Sequence, residues 1–73
     1  MSERHPAVAA VLRYFAFAHL PAGPLRDTSE KFHVLAEELA DALPSGPELT
    51  TGLRKLLEAK DCAVRAALDI SRS

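Results

Sequence analysis

The stretch Leu43-Pro44-Ser45-Gly46-Pro47-Glu48 decides the fold, because its two prolines and its glycine stop one helix and start another. Ser45 followed by Pro47 and Glu48 is the pattern of a helix cap and first turn. A link this short predicts that the helices on either side of it are antiparallel neighbours.

Apolar residues recur at helical spacing on both sides of this turn. The stripe before it predicts a helix over about residues 24–43, and it comprises Phe32, Leu35, Ala36, Leu39, Ala40 and Leu43. The stripe after it predicts a helix over about residues 47–69, and it comprises Leu49, Leu53, Leu56, Leu57, Ala63, Val64, Ala67 and Leu68. The second stripe is wider than one helix covers, so it needs another partner, either the N-terminal helix or a second subunit.

The N-terminal part predicts a shorter helix over about residues 5–18, capped by Ser2 and with Pro6 in its first turn. A connector over 19–24 follows, and its prolines and glycine predict a kink. Pro24 opens a further turn before Thr28 or Ser29 caps the main helix. The expected fold is therefore all-α, a single domain over residues 1–73 in which a short helix precedes a kinked antiparallel two-helix hairpin.

A chain of 73 residues buries only about 60% of the surface that its unfolded state exposes, so its core alone supplies about 3–5 kcal/mol. Cys62 is the only cysteine, which excludes an internal disulfide. His5, His19 and His33 share no metal-ligand spacing with it. Self-association is the remaining source of stability, and we expect a homo-oligomer.

The formal net charge of -1 provides no long-range field for nucleic acid or for an anionic membrane. No apolar run approaches the ~20 residues that span a bilayer, and no signal-like cleavage site follows the N-terminus. The sequence also contains no catalytic dyad and no phosphate-binding glycine loop. These patterns predict a cytoplasmic binding protein without a cofactor, and neither an enzyme nor a DNA-binding protein.

Aromatic and basic residues are brought together around the connector. Rings that stack on bases, beside cations that neutralise phosphates, suit a nucleotide, with stacking worth about 1–3 kcal/mol per base. The residues concerned are Tyr14, Phe17 and His19 with Arg13, Arg26 and Lys31. The alternative interpretation is that Phe15 and Phe17 only fix the first helix to the hairpin.

Lys60 and Asp61 interrupt the apolar stripe of the last helix. One interpretation is an ion-pair network, in which Asp61 pairs with Arg65 and Lys60 reaches an acidic residue of the preceding helix, namely Glu37, Glu38 or Asp41. The other is that Lys60 or Arg65 lines a cavity between subunits that takes an anionic ligand.

The run from Leu43 to Thr50, then Leu53-Arg54-Lys55-Leu56-Leu57-Glu58-Ala59 and Ala63-Val64-Arg65-Ala66, resembles a phage hairpin domain. The family is the cyclic-nucleotide sponge type of anti-CBASS protein, whose hairpin is shared with one class of Thoeris anti-defence protein. The resemblance covers about residues 17–68. It implies a homo-oligomer, commonly a hexamer, that sequesters cyclic dinucleotides or trinucleotides between subunits in the host cytoplasm without cleaving them.

The resemblance also implies site residues. Phe17, Leu20 and Lys31 match an aromatic residue that stacks on a base, a leucine and a lysine, although the family usually has tyrosine where Phe17 stands. Arg65 is similar to an arginine that lines a second nucleotide site in some members. The alternative function is a structural or protein-binding helical hairpin that inhibits a host factor without binding a small molecule.

Overall fold

The computed structural model describes residues 4–72. Three α-helices follow one another along this part of the chain: α1 (Pro6–Leu12), α2 (Pro24–Ala42) and α3 (Pro47–Arg72), with a 3-10 turn over Arg13–Phe15 directly after α1. No strand forms in residues 4–72. The expectation of an all-helical chain is therefore confirmed.

Helix α1 is shorter than the 5–18 expected from the sequence. It tightens into the 3-10 turn at Arg13 and ends at Ala16, whose backbone is extended at φ −60° and ψ 142°. A continued helix would point Phe15 and Phe17 about 200° apart, since each residue advances the helix by about 100°. The extended backbone at Ala16 lets Phe15 enter the core while Phe17 packs on α2.

The cap of α1 is His5, whose Nδ1 accepts a hydrogen bond from the Ala7 N–H at 3.1 Å. This bond satisfies one of the amide donors that a helix N-terminus leaves free. Ser2, which the sequence suggested as the cap, lies outside the described residues.

Helix α2 is one uninterrupted α-helix that starts at Pro24, so Thr28 and Ser29 lie inside it and do not cap it. The residue before it, Gly23, has φ 140°, a backbone conformation that favours glycine. At the other end Leu43 is extended, at φ −111° and ψ 149°, because the ring of Pro44 disfavours a helical residue before it.

Helix α3 starts at Pro47, and the Thr50 N–H donates to the Gly46 carbonyl at 3.0 Å. Gly46 therefore occupies the half-helical position before the helix, which the sequence assigned to Ser45. The helix continues to Arg72, three residues beyond the expected end, because Ile70-Ser71-Arg72 contains neither glycine nor proline to stop it.

The buried core joins α1 and the 3-10 turn to α2 and α3. Phe15 is fully buried, and Leu53 and Val8 are each 1% exposed. The cluster comprises Val8, Val11, Leu12, Phe15, Ala36, Leu49 and Leu53. Helix α1 therefore supplies one of the partners that the wide face of α3 needs.

Candidate functional site

Phe17 lies against the N-terminal half of α2, in contact with two of its side chains. Its ring centroid is 5.0 Å from that of His33, with the planes tilted by 57°, and the Arg26 guanidinium carbon is 5.7 Å from the same centroid. Arg26 and His33 are seven residues apart, which is about two helical turns and puts both on one face of α2. We call Phe17, Arg26 and His33 the aromatic corner.

His33 is the member of the aromatic corner that sequence reasoning missed. Its Nδ1 is buried without a hydrogen-bond partner among the described residues, and its Nε2 lies 4.0 Å from Glu37 Oε1. The two-turn spacing from Arg26 was the available signal. That spacing alone did not predict the site, because it is the extended backbone at Ala16 that brings Phe17 onto the face of α2 that carries Arg26 and His33.

Tyr14, His19 and Lys60 line a second feature, a cleft of about 390 Å³ between the 3-10 turn, the connector and α3. Tyr14 is 62% exposed, and His19 is also exposed. Ser29, Asp61 and Val64 complete the part of the wall formed by α2 and α3. We call this feature the connector cleft. It combines Tyr14 and His19 with a lysine that the sequence placed in a separate second site.

Lys60 contacts the residues at the end of the 3-10 turn. Its Nζ donates a hydrogen bond to the Tyr14 carbonyl oxygen at 2.5 Å and lies 5.8 Å from the centroid of the Phe15 ring. The prediction that Lys60 forms an ion pair with an acidic residue of α2 was wrong. In the described part of the chain the ammonium binds a backbone oxygen instead.

Glu37 and Asp41 pair with Arg4. Arg4 Nη2 donates to Asp41 Oδ1 at 2.8 Å, and Arg4 Nη1 forms an ion pair with Glu37 Oε2 at 2.5 Å. The hydrogen bond to Asp41 is the largest cause of the raised pKa of the Arg4 guanidinium. This cluster fastens the segment before α1 to α2.

Arg65 does not line the connector cleft, and neither of the two ring contacts of the aromatic corner involves it. It is exposed, and its Nη2 donates to the Cys62 sulfur at 3.3 Å. No ion pair between Asp61 and Arg65 forms within residues 4–72, which overturns the expected pairing along α3. An exposed guanidinium bound only to a thiol keeps donors for another partner.

Lys31 is also separated from Phe17. It is exposed and lines a shallow groove on α2 with Asp27, Glu30 and Val34, and none of the other expected site residues lines that groove. The structure therefore brings Phe17 together with Arg26, and Tyr14 together with His19 and Lys60, and it puts Lys31 beside two carboxylates.

No group of histidine, cysteine or acidic side chains in the described residues is arranged to hold a metal ion. Across the same residues, none of the helices combines the length and the apolar composition needed to cross a membrane. Comparison with protein-family models, with curated proteins and with solved structures finds no match to this chain.

Proposed function

We propose that this chain binds cyclic nucleotides and holds them without turnover, at seams between the subunits of a homo-oligomer. The proposed ligands are cyclic dinucleotides and possibly trinucleotides, and the proposed role is to withdraw them from bacterial anti-phage signalling in the host cytoplasm. The proposed subunit is the antiparallel hairpin of α2 and α3 expected from the sequence, with the expected kink in the connector before α2, and the proposed assembly is the hexamer implied by the family resemblance.

The observation that supports the proposal most directly is the aromatic corner. A half-buried ring in contact with a guanidinium and an imidazole suits the stacking of a base, with a cation beside it for the phosphate. Phe17 is the proposed stacking residue and Arg26 the proposed phosphate ligand. Arg26 lies 5.7 Å from the ring on which the base would stack, so one nucleotide can engage both side chains.

The connector cleft adds groups that suit a nucleotide. Its exposed Tyr14 and His19 provide a hydroxyl and an imidazole for the sugar or the base edge. Lys31 is a second proposed phosphate ligand, which would act from the groove that it shares with Asp27 and Glu30. Arg65 and Lys60 are proposed for a second site that takes larger cyclic nucleotides, Arg65 through its remaining donors.

The test is isothermal titration of the purified protein against a panel of cyclic dinucleotides and trinucleotides. We expect micromolar or tighter binding of at least one ligand and its recovery intact after incubation. If none binds at micromolar concentration the proposal fails, and the protein-binding hairpin becomes the better hypothesis. Breakdown of the ligand would indicate an enzyme instead.

Variants test which residues form the site. We expect Phe17→Ala to weaken cyclic dinucleotide binding by about 5- to 150-fold, the factor that corresponds to losing a stacking contact worth about 1–3 kcal/mol. Arg26→Ala should weaken binding more than Lys31→Ala does, because Arg26 contacts the Phe17 ring and Lys31 lies beside two carboxylates. Arg54→Ala removes an exposed charge of α3 and serves as the control that leaves affinity unchanged.

Arg65→Ala separates the two proposed sites. We expect it to weaken cyclic trinucleotide binding while cyclic dinucleotide affinity stays at the wild-type value, because Arg65 lines neither the aromatic corner nor the connector cleft. Equal losses for both ligands would show that the two sites are one.

A further inference from the structure

An apolar groove of about 560 Å³ follows the line along which α2 meets α3, near the turn that joins them. Its apolar lining is mainly leucine, and no residue of α1 or the 3-10 turn contributes to it. The leucines are Leu39, Leu43, Leu49, Leu53 and Leu56, of which Leu49 and Leu53 form the floor because they also belong to the buried core. Leu43 is 48% exposed at its rim. An exposed apolar surface of this kind is typical of an interaction site.

Gly52 lies in this groove, in the interior of α3. Glycine in a helix interior costs about 1 kcal/mol relative to alanine. The packing of this chain does not require glycine there, because a Cβ built on Gly52 meets no atom within 4 Å. A missing side chain on an outward helix face allows the backbone of another helix to approach closely.

The charges that line the groove are Glu48 and Lys55, one on either side of Gly52. They are seven residues apart on α3, about two turns and roughly 10 Å along one face. If a second copy of α3 crosses this face in the antiparallel direction, with a two-fold axis near Gly52, Glu48 of each copy lies opposite Lys55 of the partner subunit. The groove is thus charge-complementary to itself, which is the requirement of a two-fold interface.

We propose that a second copy of this chain occupies the groove, with α3 packed antiparallel on α3 across a two-fold axis beside Gly52. The exposed parts of Leu39, Leu43 and Leu56 are then buried by the second copy, and two Glu48–Lys55 pairs at the rim fix the register. The proposal deepens the oligomeric part of the proposed function, on which it rests, and is independent of nucleotide binding.

Gly52→Gln tests the close approach. We expect this variant to weaken self-association in sedimentation equilibrium by about tenfold or more, because two new side chains meet at the axis. Its thermal midpoint at low protein concentration should equal or exceed that of the wild type, because glutamine is the better helix former. That second measurement separates a blocked interface from a chain that fails to fold.

Charge reversal tests the register. Glu48→Lys and Lys55→Glu should each weaken self-association roughly fivefold or more at low salt, because each places like charges opposite one another. The double variant should return to wild-type affinity. Arg54→Glu, an exposed reversal on the same helix that does not line the groove, should change the affinity less than either single variant.

Two results would overturn the inference in different ways. A wild-type chain that stays monomeric at about 100 µM has no such interface, and the groove then serves another partner. An oligomer that Gly52→Gln and both charge reversals leave unchanged assembles through another surface. In the latter case the oligomeric part of the proposed function survives, and in both cases the titrations measure nucleotide binding separately.

Discussion

The hydrogen bond between Lys60 and Tyr14 joins atoms whose residues are 46 positions apart in the sequence. The carbonyl oxygen of Tyr14 lies near the end of the 3-10 turn, where the backbone leaves helical geometry and its acceptors lose their usual partners. Lys60 supplies the missing donor from α3. Its ammonium also lies beside the Phe15 ring, so one side chain ties the turn and the core residue to the same helix.

Lys60→Met keeps most of the side-chain length and removes the ammonium donor. We expect a loss of about 1 kcal/mol in the free energy of unfolding, the lower end of the range for charged hydrogen bonds, because Lys60 is only half-buried. Urea denaturation measures it. Lys31→Met, at an exposed lysine with no hydrogen bond to the described residues, is the matched control and should change stability by less than half as much. Equal effects would show that the contact with Tyr14 contributes nothing.

The sequence indicated part of the candidate site. The proximity of Phe17 to Arg26 followed from their positions around the connector, and the structure shows that contact. The partner of Lys60 was not predictable, because a backbone carbonyl carries no residue-specific signal and any element offers one. The ion pairs of Arg4 with Glu37 and Asp41 were not predictable either, because they depend on where the N-terminal segment folds back against α2.

All three α-helices start at a proline, at Pro6, Pro24 and Pro47. Proline has no N–H to donate and its φ angle already suits a helix, so the first turn of a helix is where it fits best. The sequence therefore allowed the starts of the helices to be predicted. The end of α1 was not, because it depends on the burial of Phe15 and the position of Phe17 against α2, which are tertiary contacts.

Gly23 fixes the direction in which the connector enters α2. Its φ of 140° is a conformation that residues with a Cβ rarely adopt, so Gly23→Ala should lower the free energy of unfolding by about 1–3 kcal/mol. Gly46→Ala is the matched control before α3: its φ is not positive and an added Cβ meets no atom within 4 Å. We expect the Gly46 variant to lie within about 0.5 kcal/mol of the wild type. Chemical denaturation followed by circular dichroism compares the two, and similar losses would contradict this role for Gly23.

At the scale of the whole molecule, α1 and the 3-10 turn pack against both α2 and α3 and join them in one core. Four of the seven residues in the core cluster, Val8, Val11, Leu12 and Phe15, come from α1 and the 3-10 turn. The sequence left open whether α1 or a second subunit covers α3. The structure shows that α1 covers part of it, while the groove around Gly52 stays uncovered in the single chain.

Phe15→Ala tests how far the fold depends on this junction. Truncating a fully buried phenylalanine costs about 3–5 kcal/mol, as much as the core of a domain this size supplies, so we expect the variant to lose its cooperative unfolding transition. Tyr14→Ala, at the neighbouring exposed position, should remain folded with a change of about 0.5 kcal/mol or less. Proton–nitrogen correlation spectra distinguish the two outcomes, and well-dispersed spectra from both variants would contradict the prediction.

Leu53 and Lys60 come late in the sequence, so the ribosome makes them well after the residues that they contact near the N-terminus. The apolar side chains of α1 leave the exit tunnel first, but the α3 residues that bury them are made some forty residues later. Contacts this distant in sequence form slowly compared with those inside a helix. The nascent chain therefore exposes the apolar side chains of α1 between the time they leave the ribosome and the time α3 does, and in that interval a chaperone that recognises short hydrophobic stretches has access to them.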